Sequence, residues 1–78
     1  MRERQPRAVV TFHTTAEAMA TEQVCREKRL EGKLISAPRA LSADCGIAWC
    51  APAETHAALE ETLTAEGIEY AGIYELVM

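Results

Sequence analysis

Paired cysteines, basic clusters and long apolar runs are all scarce in this chain, and each scarcity removes a class of function. The three cysteines, Cys25, Cys45 and Cys50, contain no Cys-x-x-Cys step and cannot all pair within one chain, so reduced thiols are the expected state. If Cys50 lies in an extended strand starting near Ile47, it stands up to roughly 15 Å from Cys45, against less than about 7 Å between the Cα atoms of a disulfide. Eight Lys and Arg against 12 Asp and Glu leave a net charge of −4, with the basic residues scattered among acids. Phosphate binding needs them clustered, which argues against nucleic acid as a partner. No apolar run approaches the ~20 residues that span a bilayer, and the first residues lack the apolar core of a secretory signal; the expectation is a cytoplasmic protein with no membrane partner. There is no glycine-rich phosphate loop, no serine in a nucleophile elbow and no paired-carboxylate pocket that can be placed. Cys45, Cys50 and His13 lack the two close ligand pairs of a structural zinc site, so no metal and no cofactor is expected.

What is present suffices for one small core. Of 78 residues, 49% are apolar and 26% charged. A chain of this size buries about 60–65% of its unfolded surface and gains from self-association. Residues 1–7, Met1-Arg2-Glu3-Arg4-Gln5-Pro6-Arg7, read as a frayed segment, and residues 8–78 as a single domain.

The spacing predicts six elements. Ala8-Val9-Val10-Thr11-Phe12 is a short β-branched and aromatic strand. Thr14 and Glu17 form a capping-box pattern that starts a helix whose apolar side is Ala16, Met19, Ala20, Val24 and Leu30, with the stop at Glu31-Gly32. Lys33-Leu34-Ile35-Ser36-Ala37 is a second strand, and Ile47-Ala48-Trp49-Cys50-Ala51 a third with Ile47, Trp49 and Ala51 on one face. A second helix begins at Pro52, is anchored by Leu59 and Leu63 and ends at Gly67; Tyr70–Val77 is a fourth strand in which Gly72 marks a bulge or close packing. This β-α-β-β-α-β order specifies an α+β, ferredoxin-like sandwich: a four-stranded antiparallel sheet with two helices on one face and the first and third strands central. His13 then lies beside the start of the third strand.

Between the second and third strands runs Pro38-Arg39-Ala40-Leu41-Ser42-Ala43-Asp44-Cys45-Gly46, a polar turn with one cysteine against a glycine. Amide N–H groups at Gly46, the helix start at Thr14, His13 and the cation of Arg39 all favour a thiolate at Cys45, while Asp44 opposes it. An activated thiol and an inert turn thiol are both compatible with the spacing. Cys25 and Cys50 read as packing thiols.

Pro38-Arg39, Leu41-Ser42 and Cys45-Gly46-Ile47-Ala48, preceded by a strand, Phe12 and an Ala/Met/Glu helix, resemble the putative selenium/sulfur carrier protein-like family from about Arg7 to Tyr74. The resemblance implies a small cytoplasmic protein holding sulfur or selenium on Cys45 as a persulfide or selenosulfide. Loading then calls for a cysteine desulfurase-type donor and an acceptor protein, with Gly46, His13, Thr14 and Arg39 in support. The rival reading is a non-enzymatic interaction module that pairs its open sheet face with itself, as a homo-oligomer, or with a larger protein.

Overall fold

The computed structural model describes residues 4–39, Leu41 and residues 46–77. The chain runs β1 (Pro6–Thr11), α1 (Thr15–Glu27), β2 (Lys33–Ser36), β3 (Ile47–Pro52), a 3-10 turn (Ala53–Thr55), α2 (His56–Ala65) and β4 (Gly72–Val77). The strands form one antiparallel sheet in the order β2-β3-β1-β4, the order of a ferredoxin-like fold. Within it, β1 and β3 are central, with Val9 opposite Cys50 and Thr11 opposite Ala48.

Period two sorts these strands into two faces. Ala8, Val10 and Phe12 of β1 and its end join Trp49 and Ala51 of β3, Ala18 and Cys25 of α1, and Leu59 and Leu63 of α2 in a single core. Both helices therefore cover the same side of the sheet. Leu59 and Leu63 are fully buried, as their spacing on α2 predicts. The register places Arg7, Val9, Thr11, Ala48, Cys50 and Tyr74 on the opposite face.

The buried side of α1 is not the one its apolar residues indicate. Ala18, Thr21 and Cys25 are the buried positions, while Ala16 is exposed and Met19 is 58% exposed. Thr21 is fully buried because its hydroxyl donates to the Glu17 carbonyl at 3.0 Å, so that hydroxyl is not left without a partner. Three small side chains at the contact let the helix sit close on the sheet.

Helix α1 also stops earlier than Glu31-Gly32. Lys28 caps it, and the next residue, Arg29, takes φ 60. The Leu30 N–H donates to the Cys25 carbonyl at 2.8 Å and the Arg29 N–H to the Arg26 carbonyl at 3.2 Å, a Schellman closure with arginine at the left-handed position. Gly32 serves another end: a Cβ there would stand 2.6 Å from the Trp49 ring, so glycine is what lets the indole lie against the backbone. Pro52 is the last residue of β3 rather than the first of α2, and the 3-10 turn intervenes with the Thr55 hydroxyl donating to the Pro52 carbonyl at 2.7 Å. Gly72 is a site of close packing, because a Cβ there would stand 2.7 Å from the Tyr74 hydroxyl.

Candidate functional site

One end of the sheet gathers three of the residues that the sequence singles out. His13 follows β1 by two residues and Gly46 precedes β3 by one, and since β1 and β3 pair antiparallel, both lie at the same end of the central pair. Thr14 starts α1 at that end. Cys45, together with Ala40, Ser42, Ala43 and Asp44, lies outside the described residues, so the site is built from its flanks.

Gly46 is exposed with φ 74, a conformation that glycine adopts without the clash a Cβ brings. A Cβ there would meet nothing within 4 Å, so backbone conformation and not crowding is what glycine supplies. Its carbonyl accepts the Ala37 N–H at 2.9 Å, and this bond closes the β2–β3 hairpin just past the last strand pair, Ser36 with Ile47. Beyond that rung Arg39 is exposed, in a turn where the Leu41 N–H donates to the Pro38 carbonyl at 3.0 Å. Arg39 thus belongs to the hairpin tip, whereas His13 and Thr14 belong to the β1–α1 junction.

That junction is a complete capping box. The Thr14 hydroxyl accepts the Glu17 N–H at 3.2 Å, and the Glu17 carboxylate accepts the Thr14 N–H at 3.4 Å. The same carboxylate accepts the His13 N–H at 2.8 Å, which the four-residue motif did not reveal. Glu17 therefore ties down the segment that presents His13. It also sets a negative charge at the helix start, offsetting part of the positive potential that the helix dipole directs there.

The other two thiols occupy different environments. Cys25 is fully buried on α1, and desolvation pushes its thiol up from 9.0 to about 11. Cys50 is half-buried in the middle of β3, opposite Val9 on one side and Lys33 on the other, where the sheet ladder occupies the backbone. Trp49, next to it, points into the core at 3% exposure, and its indole N–H has no hydrogen-bond partner. At the far end of the sheet His56 Nδ1 lies 2.9 Å from a Glu75 carboxylate oxygen.

Among the described residues no group of three or more His, Cys, Asp or Glu is placed to hold a metal ion, and no helix is long and apolar enough to cross a membrane. The sequence profile of one family, described as putative Se/S carrier protein-like, matches residues 7–75. No curated protein and no solved structure gives a significant match.

Proposed function

The chain belongs to the putative Se/S carrier protein-like family, and we propose that it carries a sulfur or selenium atom on Cys45, as a persulfide or selenosulfide, between a cysteine desulfurase-type donor and an acceptor protein. The observation that supports this reading best is the sorting of the thiols. Cys25 is buried and held protonated, and Cys50 sits in a fully laddered strand. Cys45 alone adjoins a residue in the left-handed region at the mouth of a hairpin, Gly46, where nothing crowds the backbone within 4 Å of a Cβ position. A carrier needs an accessible thiolate and anion-stabilising donors, not a catalytic triad. It acts with its partners rather than as a turnover enzyme, and a reducing cytoplasm suits its free thiols.

Loading is thiol–disulfide chemistry. The Cys45 thiolate attacks the terminal sulfur of the donor's persulfide, a new S–S bond forms on Cys45, the donor's S–S bond breaks, and the donor thiolate leaves. No net oxidation occurs. Attack on the terminal atom by an acceptor thiolate returns Cys45 to its starting state. In this scheme the Gly46 N–H, the start of α1 at Thr14 and the side chains of His13 and Arg39 hold the anion, and the Glu17 carboxylate opposes it.

The test is non-reducing intact-mass spectrometry after incubation with a cysteine desulfurase and cysteine, then selenocysteine. A reducible adduct of one sulfur or selenium atom is expected on the wild type and on Cys50→Ser, and none on Cys45→Ser. No adduct on a wild-type protein whose Cys45 is readily alkylated defeats the carrier reading.

A further inference from the structure

The two edges of this sheet are protected unequally. β2 is four residues long, starts at Lys33 and is followed after one residue by Pro38. A short edge with a flanking lysine and a proline resists pairing with another chain. β4 has six residues, Gly72–Val77, with neither lysine nor proline. It also carries two of the three exposed large hydrophobic side chains among the described residues, Tyr74 at 41% and Val77 at 57%. Among the described residues, the Arg4 guanidinium donates to the Val77 carbonyl at 3.4 Å, at the far end of this strand. The middle of the face opposite the helices is meanwhile closed: Val9, Thr11 and Ala48 have no exposed area. The exposed apolar side chains of the sheet thus lie along β4, Tyr74 on the face opposite the helices and Val77 on the helix side, and not at the centre of that face.

We propose that β4 pairs antiparallel with β4 of a second copy of this chain, joining two four-stranded sheets into one, with Tyr74 at the two-fold axis. Directly opposed residues of an antiparallel pair share a face, so the axis must pass through a residue position rather than between two. An axis at Glu75 opposes two carboxylates, which is destabilising. An axis at Ile73 leaves little of β4 paired. Centred on Tyr74, the register sets the two tyrosines at the axis with their rings turned apart, each over its own Gly72, so that Leu76 of the other copy, opposite Gly72, meets that ring, and it places Ile73 beside Glu75. Each Glu75 keeps its His56 partner at 2.9 Å. The ends that carry His13 and Gly46 then fall at opposite ends of the joined sheet, so the two copies load independently. The proposal does not depend on the role of Cys45. An edge contact is smaller than a standard interface of about 800 Å² per partner, so dissociation is on the order of micromolar.

Sedimentation equilibrium across the micromolar range should show a dimer for the wild type, and Tyr74→Lys should raise the dissociation constant roughly tenfold or more with an unchanged circular dichroism spectrum. In a Cys45→Ser, Cys50→Ser background, Tyr74→Cys should form an intermolecular disulfide on mild oxidation and Glu75→Cys should not, because only at the axis do the Cα atoms come within disulfide range. That pair carries the test if Tyr74→Lys fails to fold. A wild type that stays monomeric, a dimer abolished by Ile35→Lys on β2 but untouched by Tyr74→Lys, or preferential crosslinking at position 75 overturns the proposal.

Discussion

The two halves of the molecule, β1-α1-β2 and β3-α2-β4, share one plan and differ in how their helices are held. Both helices end in the same Schellman closure: the Leu30 N–H reaches the Cys25 carbonyl after α1, and the Ile68 N–H reaches the Leu63 carbonyl at 3.0 Å after α2. The left-handed residue is Arg29 in the first and Gly67, φ 70, in the second. At the other ends, α1 has a capping box and α2 enters through a 3-10 turn without a side-chain cap. The first helix packs through Ala18, Thr21 and Cys25, the second through Leu59 and Leu63. Thus α2 supplies bulk apolar anchoring, while α1 trades bulk for close approach and a firm N-terminus, and it is this firm end that presents His13 beside Gly46.

The contrast is broken most severely in α2. Leu63→Ala should cost about 2–5 kcal/mol in urea unfolding, and Ala18→Gly far less, because only the first opens a large cavity. Next comes the alkaline limb of stability. Cys25 has a folded pKa raised to about 11. A raised acid favours the folded state fully below its unfolded pKa, and this contribution is lost as pH rises from about 9 towards 11. A decline on the order of 2 kcal/mol over that window is expected, and Cys25→Ala should remove this slope while lowering stability at neutral pH. Thr14→Ala should cost about 1 kcal/mol and loosen the segment bearing His13, read as faster amide exchange there, whereas Thr55→Ala should cost less because its hydroxyl makes no N-cap bond. The two helix stops give effects of opposite sign: Gly67→Ala should destabilise by about 1 kcal/mol, and Arg29→Gly should stabilise by roughly 0.5 kcal/mol, since only the second relieves a side chain held at positive φ.

Much of this scaffold was legible in local spacing. Thr14 and Glu17 announced the cap because the motif is closed within four residues. Leu59 and Leu63 announced the core side of α2 because nothing else on that helix is as apolar. The buried side of α1 was not legible: Met19 and Ala16 are more apolar than Thr21, but a threonine whose hydroxyl bonds back to Glu17 buries at little cost, and hydropathy does not register that bond. The α1 stop was misplaced because Gly32 looks like a left-handed cap; its actual task, making room for Trp49, depends on a strand distant in sequence. At the site, adjacency of His13, Thr14 and Gly46 followed from the predicted central pairing of β1 and β3. The second bond of Glu17, to the His13 N–H, did not, because it depends on the exit angle of the chain from β1.

By itself, then, the sequence determined the element order, the sheet that this order implies, the cap of α1 and the single cysteine set against a glycine in a turn, since each rests on periodicity or on contacts a few residues long. Tertiary structure alone decided which side of α1 is buried, which thiol is pushed up by desolvation, and which edge of the sheet stands unprotected. Burial and strand pairing are set by residues far apart in the chain, and their energies exceed the local preferences that a sequence displays.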